Sequence, residues 1–161
     1  MEYGSQKTIG FKEQTREASF EDCIADLVNH EIVMEMENYR HHNSTSCYEH
    51  CVEVSYKTYQ VCKRMGLDYQ SAARGALLHD LFLYDWRTEK LEEGRHAFVH
   101  ADIALRNARE QFTLNAKEED VIKKHMWPVT LAPPRYLESF IVSFVDKYCA
   151  FTEFLKNRRK G

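Results

Sequence analysis

The sequence predicts an all-α fold, a single-domain helical bundle of about six helices. Three observations carry that expectation. Only six Gly and three Pro punctuate the 161 residues. Apolar residues recur at helical spacing nearly throughout. The polar breaks between the periodic stretches carry helix-cap signals.

Taken in order, the first periodic stretch runs from about Ser19 to Tyr39, with Ile24, Leu27, Val28, Ile32 and Met36 at helical spacing. Residues 1–18 before it are polar and mixed in charge and read as an N-terminal extension, leaving 19–161 as the helical domain. The run from Arg40 to Ser46 is polar and reads as a loop. Ser46-Cys-Tyr-Glu49 has the form of a capping box, so a second helix starts there, continues through Val54, Tyr56, Val61 and Met65, and closes at Gly66. Asp68 can cap a third helix that contains Gly75 to Tyr84. The charged segment Trp86 to Gly94 reads as a loop, and a fourth helix follows from about His96 to Phe112. Asn115-Ala-Lys-Glu118 caps a fifth that ends near Pro128. Pro133-Pro134 introduces a sixth to about Lys156, with Phe140, Ile141, Phe144, Val145 and Tyr148 expected as its apolar face.

The formal net charge of −3 argues against nucleic-acid or membrane binding driven by bulk charge. No apolar stretch is long enough to span a bilayer, and the N-terminal residues lack a signal-peptide core. Five cysteines without a Cys-x-x-Cys pair read as reduced thiols in a cytoplasmic protein. Cys47 and Cys51 share a helix face and read as small core residues. The oligomeric state is left open.

The chemistry begins at His79-Asp80, in the run Ala76-Leu-Leu-His-Asp-Leu-Phe-Leu. Burying a histidine and an acid side by side is costly, and a bound divalent ion offsets that cost. His50 falls on the second helix, His96 and His100 share a face of the fourth, and His125 ends the fifth. Asp146 lies on the sixth, among Val142, Cys149 and Ala150, where a surface acid is not expected. Bundles build metal sites in this way, with one or two ligand-type side chains from each helix.

The order His50, His79-Asp80, Asp146 resembles the signature of the HD-domain superfamily of metal-dependent phosphohydrolases. Tyr48-Glu-His-Cys-Val-Glu-Val, Ala72-Ala-Arg-Gly-Ala-Leu-Leu-His-Asp and Phe144-Val-Asp-Lys resemble its ligand-bearing segments. His100 and His125 stand where the two-metal branch places its additional histidines. His100-Ala-Asp-Ile-Ala resembles a turn of the HD-GYP phosphodiesterases, but Ala101 replaces a proline and the Gly-Tyr-Pro segment is missing. The spacing also resembles the HD-type hydrolases of dinucleoside polyphosphates.

The resemblance implies one divalent ion at His50, His79, Asp80 and Asp146. It implies a second at Asp80, His100 and His125. Iron or manganese is favoured, while cobalt, nickel, zinc and magnesium remain possible. It further implies hydrolysis of a small phosphorylated metabolite, most naturally a nucleotide, by a metal-bound hydroxide, with Asp80, His79 and Lys147 as the catalytic set. His96, His42 and Arg135 are candidates for substrate binding, whereas His41 reads as a solvated loop residue. Two other functions fit the same residues: a di-iron oxidative enzyme on this fold, and a non-catalytic nucleotide-binding regulatory module.

Overall fold

The computed structural model describes residues 17–42 and 45–158, without the side chains of His42 and Asn157. Most of the expected extension, residues 1–16, lies outside the described residues.

The described chain is α-helical apart from one short hairpin. Ser19 caps helix α1 (Phe20–Ile24) with a full capping box, but the helix stops after five residues. The chain turns and resumes as α2 (Glu31–Met34), which tightens into a 3₁₀ turn over Glu35–Asn38. The single first helix expected from periodicity is therefore broken into three pieces. The break lets Leu27, Val33 and Met36 all reach the core, where each is fully buried. The stretch after Tyr39 is a hairpin rather than a loop, with strand β1 (Arg40–His42) antiparallel to β2 (Thr45–Ser46) and an irregular register between them.

The remaining elements follow the cap signals. Helix α3 (Cys47–Arg64) opens on the Ser46–Glu49 capping box. It closes on Gly66, whose φ of 68° lets Leu67 N–H reach Cys62 O and Gly66 N–H reach Lys63 O, the double bond of a Schellman motif. Asp68 caps α4 (Tyr69–Leu78). Helix α5 spans His96–Gln111, and Asn115 caps α6 (Ala116–Lys124) with a third capping box. Helix α7 spans Leu137–Arg158.

Helix α4 ends at Leu78, six residues before the expected end, so His79 and Asp80 lie at its C-terminal exit and not in mid-helix. Side-chain and loop bonds take over where the helix ladder stops. His79 Nδ1 lies 2.7 Å from Ala76 O, and Asn107 of α5 donates to Leu81 O at 2.8 Å. Leu83 then adopts a positive φ of 54° that redirects the chain.

Helix α4 sits between α3 and α6. Gly75 makes this close approach possible: a Cβ there would lie 2.8 Å from both Cβ and Cγ1 of Val121 on α6. Val54, Ala76, Val121, Val142 and Cys149 form the core where α3, α4, α6 and α7 meet. Lys117 donates to Glu138 at 2.8 Å, and Glu138 also accepts from Asp68 N–H, joining α6, α7 and the start of α4.

The last helix departs in part from the expectation made for it: Phe140, Ile141 and Val145 are half-buried, with Val145 packed against the core. Phe144 and Tyr148 are exposed, whereas Ser139, Val142, Ser143, Asp146, Cys149 and Glu153 are buried. The side that faces the bundle is the one carrying the acids.

Candidate metal centre

The bundle brings one or two donors from each of five helices to a common point. His50 enters from the first turns of α3, His79 and Asp80 from the exit of α4, and His100 from α5. His125 is the residue that ends α6, and Asp146 comes from the middle of α7. His50, His79 and His125 are at most 1% exposed, and Asp80, His100 and Asp146 are also buried.

In each of the four helix-borne histidines one ring nitrogen is already engaged. His79 Nδ1 faces Ala76 O at 2.7 Å, His100 Nδ1 faces His96 O at 2.7 Å, and His125 Nδ1 faces Ile122 O at 2.8 Å. A carbonyl only accepts, so each Nδ1 carries a proton and turns Nε2 inward. His50 is set the same way by Glu153, whose Oε1 lies 2.8 Å from Nδ1. This is how proteins orient histidines toward a metal.

The inward nitrogens converge on two carboxylates. Asp80 Oδ1 lies 3.3 Å from His100 Nε2 and 3.4 Å from His125 Nε2. Its other oxygen, Oδ2, lies 3.5 Å from both His79 Nε2 and His41 Nε2. Asp146 Oδ1 lies 3.0 Å from His50 Nε2 and 3.6 Å from His79 Nε2. The donor triads His50/His79/Asp146 and His79/Asp80/His125 each fall within 4.8 Å, as do His41/His50/Asp80.

Two features show that this set fits cations. Asp80 Oδ1 and His79 Nε2 are buried without a hydrogen-bond partner. His100 Nε2 and His125 Nε2 face each other at 2.9 Å although both rings commit Nδ1–H to carbonyls, so either a proton on His100, which Asp80 favours, or a metal ion stands between the two nitrogens. The electrostatics couple the two carboxylates to the rings: Asp80 and Asp146 favour a positive charge on His79, and Asp80 on His100. Burial opposes charge on Asp80 and Asp146, yet the surrounding imidazoles hold both carboxyls well below the usual value. Burial also pushes His125 down to about 3, leaving it neutral. Burial alone would lower His50, but Asp146 and Glu153 raise it to about 10.

A cavity of about 240 Å³ opens onto the centre, lined among others by Asp80, His100, His125, Asp146, His96 and Lys147. His96 is stacked between Trp86 and His100, and its Nδ1 is 2.7 Å from Tyr84 Oη. Burial and the adjacent His100 push it down to about 4. Lys147 Nζ donates to His125 O at 2.8 Å and to Ser143 O and Oγ, so its ammonium ties α7 to the end of α6. Arg135 lies apart, in a separate cleft with Arg109, Lys123 and Tyr136. The side chain of His42 is outside the described residues. Cys47 and Cys51 are buried beside the centre, with Cys47 Sγ on Asp80 O and Cys51 Sγ 3.6 Å from His79 Nδ1. Burial pushes the Cys51 thiol well above its ordinary value, in keeping with a core role.

Two residues at the centre were not anticipated. His41, expected in solvent, is stacked on the His50 ring at 3.6 Å and lies 3.5 Å from Glu153 Oε2. The hairpin carries it there, and a polar run without periodicity gives no hint of that. Glu153 is 5% exposed, and burial is outweighed by His41 and His50, which lower it to about 2. A signal for Glu153 existed: it follows Asp146 by seven residues and therefore shares its helix face.

A family model described as HD domain matches residues 47–150, well over half of the chain. The match encloses His50, His79, Asp80, His100, His125 and Asp146 but leaves His41 and Glu153 outside it. No curated protein and no solved structure matches the chain.

Proposed function

This chain belongs to the HD domain family, and we propose that it is a metal-dependent phosphohydrolase acting on a small phosphorylated metabolite, most naturally a nucleotide. The observation that carries the reading is the division of labour on Asp80: one oxygen turned to His100 and His125, the other to His79. A carboxylate so placed is suited to bridge two ions. His50, His79 and Asp146 complete one side, and His100 and His125 the other. When bound, such ions neutralise phosphate charge and acidify an attacking water.

The protein's own residues position and exclude. Ala76 O, His96 O, Ile122 O and Glu153 fix the histidine tautomers. Lys147 holds α7 against the His125 carbonyl, and its ammonium, already donating three times, leaves substrate charge mainly to the ions. Trp86, stacked on His96 at the cavity wall, offers a planar surface suited to a nucleobase. An imidazole-rich set favours iron or manganese over magnesium.

The test is elemental analysis of protein purified without a metal-affinity tag, followed by a screen of nucleotides and phosphomonoesters. About two equivalents of iron or manganese, phosphate release under anaerobic conditions, and loss of metal and turnover in Asp80→Ala with helicity retained are expected. Full metal content in Asp80→Ala would sink the bridging role. Oxygen consumption without phosphate release would replace hydrolysis by oxidative chemistry.

A further inference from the structure

We propose that the outward face of α7 is a homodimer interface, formed by antiparallel packing of α7 against α7 of a second copy. Leu137, Ile141, Phe144, Tyr148, Phe151 and Leu155 are spaced alternately four and three residues apart. That is the 3.5-residue period of a helix seam that meets another helix, sustained over five turns. The stripe is turned away from the bundle. Ile141 is partly buried, and the other five are between 40% and 64% exposed.

The stripe is self-complementary, which is what a two-fold contact requires. Reversed about its midpoint, Leu137 meets Leu155, Ile141 meets Phe151, and Phe144 meets Tyr148. Aliphatic side chains oppose each other at the two ends, and aromatic pairs fill the centre. A seam of this order fits a second copy of itself, and no charged residue interrupts it. Aromatic enrichment and charge depletion characterise the core of an interface.

The stripe supplies more than half of the area that a dimer needs. Five large side chains about half exposed leave of the order of 500 Å² of apolar surface, against about 800 Å² per partner in a standard interface. Phe154 beside the stripe and Val61 and Met65 on α3 are also exposed and supply surface around it. The groove between α3 and α7, lined by Lys57, Gln60, Val61, Arg64, Phe144, Val145 and Tyr148, continues the face.

The proposal is tested by sedimentation and light scattering at about 100 µM, a concentration that saturates an ordinary standard-size interface. The wild type is expected at twice the 19.0 kDa of the chain, and Phe144→Glu at the monomer mass with helicity and metal content retained. Register is read by mixing Phe144→Cys with Tyr148→Cys. All five native cysteines are buried, so oxidation should link the two variants to each other faster than either to itself. A monomeric wild type, or a dimer that survives Phe144→Glu and shows no preferential 144–148 link, would overturn the proposal. Binding of the monomer to anionic vesicles, lost in Phe144→Glu, would also overturn it by assigning the face to a lipid surface.

Discussion

Helix α7 carries two stripes of the same spacing on opposite sides. Inward lie Ser139, Val142, Asp146, Cys149 and Glu153; outward lie Leu137, Phe144, Tyr148, Phe151 and Leu155. The more apolar stripe is the one in solvent. Hydrophobicity alone orders them wrongly, because the bundle offers the inward stripe specific partners. Asp146 and Glu153 meet His50, Ser143 donates to His125 O, and Glu138 meets Lys117. A buried polar group with a partner is tolerated where an unpaired one is not. The comparison therefore teaches that specific partners, more than hydrophobicity, decide which stripe of a helix is buried.

The sharpest way to break the comparison is at Asp146. Asp146→Asn removes the charge between His50 and His79, and metal content and turnover should fall to background with helicity kept. A variant with unchanged metal content would place Asp146 outside the centre. Next comes Glu153→Gln, which weakens the orientation of His50. Metal affinity, measured by chelator competition, should drop about 10- to 100-fold, the usual cost of losing an outer partner of a ligand histidine. An unchanged affinity would reduce Glu153 to packing.

Glu138→Gln tests the inward face away from the centre. Loss of the charge on Lys117 and Asp68 N–H should cost about 1 kcal/mol at neutral pH, given that Lys117 is partly exposed. Burial raises the carboxyl, but Lys117 and the backbone donors bring it net below its ordinary 4.5. A depressed carboxyl adds stability above its unfolded value and loses it as pH falls through the folded one. The wild type should thus lose its advantage over Glu138→Gln as pH drops below about 4.5, as thermal unfolding against pH will show. The smallest effect belongs to the outward face. Phe151→Ser, compared with wild type at protein concentrations low enough for monomers, should change stability by under about 0.5 kcal/mol, since Phe144 in the same stripe also touches the Trp127 ring. A large loss there would mean that the aromatic stripe serves the chain's own core.

Much of this arrangement was legible in the sequence. Ser46, Asp68 and Asn115 each announce a helix start by local chemistry, and the helices begin there. The donors His50, His79, Asp80, His100, His125 and Asp146 could be gathered because each is an ionisable residue in an apolar helical setting. The rest depends on contacts distant in sequence. Periodicity continues through Ala25–His30 and through Leu81–Leu83, so neither the broken first helix nor the early exit of α4 is visible locally. His41 reaches the centre on a hairpin whose polar residues resemble any solvated loop. On α7 the sequence marked the Asp146 side as buried, but it also placed Phe144 and Tyr148 on the apolar face, because their exposure depends on how much of the helix the bundle covers.

Gly75 and Val121 each stand four residues before a donor histidine, one turn below His79 and His125 respectively. Their contact admits no added carbon, and the two rings above it lie 4.8 Å apart. The width of the centre is thus set by backbone against side chain one turn down, where no ligand is touched. Retuning a centre of this kind need not begin with its donors: the missing methyl of Gly75 acts as the spacer that gauges the gap between α4 and α6.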